Sequence, residues 1–226
     1  MAPAAAATDT GRVREGNEDA YGLSANAWVV ADGMGGHAGG EVAARVAVDA
    51  ALTAPPVEVV AVAHSAVLAA TTPGLADMGT TLVHAVLLDG PAGLELQVRW
   101  VGDSRAYLLV DAGMHRLTHD HNQAEALLAD GHITAEQARV HPGQYRLTRA
   151  LGLGRSVPPE PGEVTVPARG RLLLCTDGLT SEVDDDDVAM LLTGDEPGEA
   201  ARRLVRAAVQ AGGRDNVTVV VVDLPT

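Results

Sequence analysis

Four short hydrophobic runs in this chain each meet a turn at an aspartate. Trp28-Val29-Val30-Ala31 runs into Asp32-Gly33, and Val98-Arg99-Trp100-Val101-Gly102 into Asp103. Leu172-Leu173-Leu174-Cys175-Thr176 runs into Asp177-Gly178, and Asp215-Asn216 opens the run Val217 to Val222. Runs of this length, rich in Val and Leu and bounded by Gly or Asp, read as β-strands. A strand end is rigid, so a carboxylate placed there is aimed rather than floppy. Several aimed carboxylates, with no lysine in the chain to neutralise them, form a donor set for a hard divalent cation. A metal site is therefore the first expectation.

Composition narrows the alternatives. The 226 residues, 46% of them hydrophobic, suit one sizeable domain. Phe is absent and aromatics make up only 2%, so the core must be built from Ala, Val and Leu. No apolar run approaches the roughly 18–20 residues that span a bilayer. The start, Met1 to Ala7, lacks the pattern of a signal peptide. A single cysteine excludes an internal disulfide and fits a reducing cytoplasm. The net charge of −14 argues against nucleic acid or an anionic membrane as partner. All 16 basic residues are arginines, which removes the P-loop lysine, the kinase ATP lysine and Schiff-base chemistry.

Strands are expected near 20–31, 80–89, 94–102, 105–110, 171–176 and 216–223, with a tight turn at Gly102-Asp103-Ser104. Helices are expected at 40–52, 57–71, 185–193 and 197–211. The strands cluster in pairs, which favours antiparallel sheets over a doubly wound parallel sheet. Residues 119–149 form an insertion with helical stretches near 122–130 and 134–140, a size that suits a flap. Thr134 followed by Gln137 resembles a capping box.

Asp-Gly alone signals only a turn, and Asp89 and Asp130 keep that reading. Asp32 and Asp177 differ because each ends a buried-looking strand. After Asp32 come five glycines in the nine residues Gly33 to Glu41, a density that lets backbone approach a ligand and could offer the Gly33 carbonyl as a further oxygen donor. The N-terminal stretch Thr8 to Asp19 mixes Arg14, a phosphate-type ligand, with Glu18 and Asp19, suited to holding metal-bound waters. Cys175 reads as a buried small hydrophobe: a tyrosine-phosphatase nucleophile would want an arginine six positions on, where Ser181 stands. The histidines other than His37 show no metal spacing, and most are expected at the surface. Asp184 to Asp187 reads as a helix start, where acids complement the dipole.

Taken in order, these pieces resemble the metal-dependent protein phosphatases, the PPM or type 2C serine/threonine family, in its bacterial form. The motifs are Asp9-Thr10-Gly11 with Arg14 and Asn17-Glu18-Asp19, then Ala31-Asp32-Gly33-Met34-Gly35-Gly36-His37 and Gly79-Thr80-Thr81. They continue with Val101-Gly102-Asp103-Ser104-Arg105, Leu147-Thr148-Arg149-Ala150-Leu151-Gly152, Thr176-Asp177-Gly178-Leu179 and Asp215-Asn216-Val217-Thr218. The departures are small: Thr8 stands where Ser is usual, and Asn122 follows Asp120-His121 where Ser is common.

The resemblance implies an α+β fold, a central sandwich of two antiparallel β-sheets flanked by helices on both faces (four layers, αββα). It implies one catalytic domain over 1–226, with the flap at about 119–149 and no further segment attached. Asp32, Asp177 and Asp215 would hold two Mn²⁺ or Mg²⁺ ions, with Asp32 bridging them and the Gly33 carbonyl on the second. Asp103, with Asp177, would bind a third, weaker ion. Arg14 would grip the phosphate, Glu18 and Asp19 would hold metal-bound waters, and His37 would protonate the leaving oxygen. The implied reaction is hydrolysis of phosphoserine and phosphothreonine in proteins by a metal-bridging hydroxide, without a phosphoenzyme. The implied partners are phosphorylated proteins, a serine/threonine kinase among them, met by a cytoplasmic monomer. Two other readings stay open: a regulatory phosphatase acting on an anti-sigma antagonist, and a non-catalytic phosphoprotein-binding module. The Arg14 region and the flap resemble the stand-alone enzymes, and all four aspartates are present.

Overall fold

A computed structural model describes residues 2–35, 39–75, 77–91, 93–153 and 159–225. Its strands are β1 (Ala4–Asp9), β2 (Asp19–Leu23), β3 (Ala27–Met34), β4 (Gly79–Thr80), β5 (Leu82–Gly90), β6 (Gly93–Val101), β7 (Arg105–Val110), β8 (Gly113–Arg116), β9 (Gly162–Pro167), β10 (Arg171–Cys175) and β11 (Val217–Asp223). Its α-helices are α1 (Gly39–Ala51), α2 (Val59–Ala70), α3 (Gln123–Ala129), α4 (Ala135–Arg139), α5 (Asp177–Thr180), α6 (Asp185–Leu192) and α7 (Pro197–Ala211). One sheet runs β1-β11-β10-β7-β8; the other runs β2-β3-β5-β6-β9, with β4 against β3. Every pairing is antiparallel.

Side-chain alternation explains the layering. In β11, Val220 and Val222 face the other sheet, while Val217, Val219 and Val221 face α5, α6 and α7. Both faces are apolar because both are covered. Between the sheets lie Trp28, Val30, Val98 and Trp100 against Ala106, Leu172, Leu174 and Val220. On the far side, Val29, Ala31 and Leu82 pack against the small residues Ala43, Ala44 and Ala47 of α1 and Val59, Ala63 and Val67 of α2. Alanine on α1 lets the helix sit close to the sheet. The result is helix, sheet, sheet, helix, as expected. Each fully buried Val or Leu contributes about 1.5–3 kcal/mol. No helix among the described residues is long and apolar enough to cross a membrane.

Several local expectations need correction. The stretch 20–31 is a hairpin, β2 and β3, turned at Ser24, whose hydroxyl accepts from Ala27 N at 2.9 Å. The strands on either side of Gly102-Asp103-Ser104 belong to different sheets, so the chain crosses the sandwich there. β1 and β9 are strands that local propensity misses. β1 is alanine-rich and held by the valines of β11, and β9 is an edge strand ending on proline. The histidine expectation also fails in part: His64, His84 and His121 are buried. Burial, with Arg99 and Arg149 respectively as the next cause, pushes His84 and His121 down to about 4. The cap readings hold. Thr134 and Gln137 form a full capping box at α4, and the Asp184 side chain accepts from Asp187 N at 2.9 Å at the start of α6.

Candidate metal centre

The sandwich brings the aspartates together because β3 packs across β10 and β11. Asp32 lies near the end of β3, Asp177 opens α5 directly after β10, Asp215 precedes β11, and Asp103 occupies the turn from β6 to β7. Asp19 opens β2 and pairs in register with Asp32. Glu18 and all five aspartates are half-buried.

Their electrostatics show crowded, desolvated carboxylates. Burial pushes Asp32 well above the ordinary carboxylate range, and Asp19, Asp177, Asp103 and Asp215 push it further. Burial likewise raises Asp19 to about 7, against hydrogen bonds from Thr218 and Thr176 that favour its charged form. Asp103 is pushed up to about 8 by burial and then by Asp177 and Asp120. Asp177 is raised by burial and then by Asp215, and Glu18 is raised chiefly by burial. Carboxylates that hold one another protonated are those that a divalent cation would ionise.

Arg105 partly offsets the rise of Asp103 and Asp177, and Arg14 Nη2 donates to Asp215 Oδ2 at 2.7 Å. Both side chains are substantially exposed, 52% and 37%, so the pair is screened and adds little stability. Asp19 Oδ1 is buried with no hydrogen-bond partner, a free acceptor beside the cluster. Among the described residues, no three His, Cys, Asp or Glu side chains yet converge at ligating distances. The donor set itself, all oxygen, fits Mg²⁺ or Mn²⁺ better than zinc.

Residues to which the motif reading assigned no role position these carboxylates. Thr81 Oγ1 accepts from Asp32 N at 2.9 Å and shares a 2.8 Å hydrogen bond with Ser104 Oγ. Thr80 Oγ1 donates to Asp32 O at 2.9 Å. Thr176 Oγ1 donates to Asp19 Oδ2 at 2.9 Å and accepts from Thr218 N at 3.0 Å. Asn216 accepts from Glu18 N at 2.8 Å and donates to Thr10 O and Gly16 O, both at 2.9 Å. Asn216 thereby ties the loop carrying Arg14 to the strand that follows Asp215.

Glycine is required at two points here. A side chain on Gly33 would collide with the Gly40 and Glu18 carbonyls, and one on Gly178 with the Asn216 carbonyl. His37 lies outside the described residues. Cys175 is fully buried, and burial pushes its thiol up to about 12, which suits the apolar role.

Comparison with known proteins agrees with this architecture. The family model "Protein phosphatase 2C" matches residues 61–217. The serine/threonine protein phosphatase PstP of Mycobacterium tuberculosis is 40% identical over 233 residues, covering 97% of this chain and 44% of its own length. This chain thus spans less than half of that relative. A crystal structure of M. tuberculosis PstP/Ppp superposes with a TM-score of 0.91 at 37% identity, covering 100% of this chain and 99% of that one. A structure of the PstP catalytic domain in complex with two manganese ions gives 0.86 at 36% identity, covering 100% and 99%. With a family model across most of the chain and a relative at this identity along nearly all of it, the chain belongs to the protein phosphatase 2C family.

Proposed function

We propose that this chain hydrolyses phosphoserine and phosphothreonine in proteins with the help of two divalent cations, Mn²⁺ or Mg²⁺. The observation that carries the proposal is the carboxylate cluster of Asp32, Asp177, Asp103 and Asp215, in which burial and the neighbouring acids raise Asp32, Asp103 and Asp177 and no lysine offsets them. When bound, two ions supply charge neutralisation of the phosphate and ionisation of a water near neutral pH. Asp32, Asp177 and Asp215, with the Gly33 carbonyl, are the residues that would hold them. Asp103 and Asp177 would hold a weaker third ion. Glu18 and Asp19 would orient water there, and the unpartnered Oδ1 of Asp19 supports that role.

Arg14 leaves its exposed contact with Asp215 to hold the phosphate, a bidentate task its planar guanidinium suits. Hydrolysis adds water across the P–O bond, and the departing serine or threonine oxygen takes a proton, assigned here to His37. A phosphoenzyme is unnecessary, since no side-chain nucleophile is invoked and Cys175 is buried. We extend the proposal to one catalytic domain over the whole chain, a cytoplasmic monomer whose substrates include a serine/threonine kinase. That extension rests on the family resemblance.

The test is Mn²⁺-dependent hydrolysis of p-nitrophenyl phosphate and of phosphothreonine peptides by the purified protein. Turnover of both, lost in Asp177→Asn, is expected. No turnover of either at millimolar Mn²⁺ would sink the catalytic reading and leave the binding-module alternative. Full activity in Asp177→Asn would sink the ligand assignment instead.

A further inference from the structure

The flap begins at three consecutive polar residues, Asp120, His121 and Asn122, that are 7%, 5% and 4% exposed. Polar side chains this deep need partners, and theirs point to two places at once. His121 N donates to Gly102 O at 2.9 Å, and Gly102 N donates back to His121 Nδ1 at 3.3 Å. Gly102 immediately precedes Asp103. It sits at φ +105°, and a Cβ there would come within 2.6 Å of Thr81 Cγ2. On the other flank, Arg105 donates to both oxygens of Asp120, at 3.0 Å from Nε and 2.8 Å from Nη2. Arg116 grips the same carboxylate. The turn carrying Asp103 is therefore held on both sides by residues 120 and 121.

The same tripeptide closes the flap. Thr148 N donates to His121 O at 2.8 Å, and Gln123 N donates to Arg146 O at 2.9 Å. Asn122 bridges to Leu147 and caps α3 by accepting from Glu125 N at 2.8 Å. The His121 ring stacks on Trp100 with centroids 6.1 Å apart. Beyond this root the flap stands over a cavity of ≈ 700 Å³, bounded by Leu128 and Ala138 on one side and Asp184 and Asp186 on the other. Close packing to the body is thus concentrated at the root.

We infer that Asp120-His121-Asn122 is a latch that makes the position of the Asp103 carboxylate depend on the placement of the flap, with His121 as the positioning residue. The inference rests on Asp103 being a cation ligand, as proposed above. Two contacts from one residue, through its backbone amide and its ring, fix the turn more firmly than either alone, so loosening His121 frees Asp103 and the returning segment of the flap together.

Three variants test this: His121→Ala, His121→Asn and Asp103→Asn. Amide hydrogen exchange is measured on the metal-free protein, Mn²⁺ binding by the EPR signal of free Mn²⁺, and folding by thermal melting. In His121→Ala, exchange should rise together at 102–105 and 146–149, and the weakest Mn²⁺ class should lose roughly tenfold to a hundredfold in affinity. His121→Asn, whose side-chain oxygen can still accept from Gly102 N, should restore both. Faster exchange confined to the flap, with Mn²⁺ binding unchanged, would overturn the latch, as would a folded asparagine variant that rescues neither readout. If the alanine variant does not fold, Asp120→Asn, which keeps the side-chain shape, replaces it with the same expectations. If Asp103→Asn leaves every Mn²⁺ class unchanged, the ligand assignment fails, and the exchange result still decides whether flap and turn move as one.

Discussion

Consider Asp103→Asn, which keeps the side chain's shape and removes one negative charge from the cluster. Asp103 is pushed up to about 8 in the folded protein, whereas an aspartate in an unfolded chain titrates near ~3.9. Between those values the folded state holds a proton that the unfolded state has released. Stability therefore falls as pH rises: it is fully present below the unfolded value and lost as pH climbs through about 8. From about pH 5 to about pH 8 close to one proton is at stake, which sets an upper bound of ~4 kcal/mol. Partial exposure, and sharing of protons with Asp177, reduce this to ~2 kcal/mol. The asparagine has no such titration. Its advantage over the native residue should thus grow by ~2 kcal/mol between those pH values, or roughly 4–8 °C in Tm for a chain of this size. Thermal melts of both proteins in EDTA at the two pH values measure this double difference, which cancels any constant effect of the amide. An equal difference at both pH values, or a native protein that gains on the variant as pH rises, would refute the reasoning.

Two other substitutions separate binding, chemistry and packing. Arg14→Ala removes the guanidinium assigned to the phosphate, and a charge-assisted contact of about 1.5–3 kcal/mol should raise KM for phosphopeptides roughly tenfold to a hundredfold, with near-native melting because the Asp215 pair is exposed. An unchanged KM would remove Arg14 from phosphate binding. Cys175→Ser buries a hydroxyl among Leu173, Val219 and Leu204, so it should lower stability by about 1–3 kcal/mol yet leave turnover per folded molecule intact. Lost turnover in a folded Cys175→Ser protein would reopen a cysteine mechanism.

Legibility in the sequence follows the range of the physics that decides each feature. Asp32, Asp177 and Asp215 stand out because their signal is local: a carboxylate at one end of a short apolar run, followed by a glycine or asparagine. The capping box at Thr134 and the acidic start of α6 are local too, and both hold. β1 is illegible because alanine has little strand preference of its own; its conformation is set by Val217 to Val222, more than two hundred residues away. The hydroxyl and amide supports hide for the same reason. Thr176 meets Asp19 across 157 positions, and Asn216 meets Glu18 across 198.

The crossing at Gly102 to Ser104 is the telling case. A tight turn there reads the same whether its strands pair with each other or part into two sheets. Only the second arrangement lets Asp103, leaving one sheet, face Asp32 on that sheet and Asp177 on the other. The donors are thus written locally, while their convergence depends on which sheet each strand joins. That choice is made by the alternation of Val98 and Trp100 with Ala106 and Leu108 into one shared core. Hydrophobic packing between the sheets is therefore what assembles the charged site at their edge, and a change that slipped β7 by one residue would turn that face outward and carry Asp103 away from its neighbours.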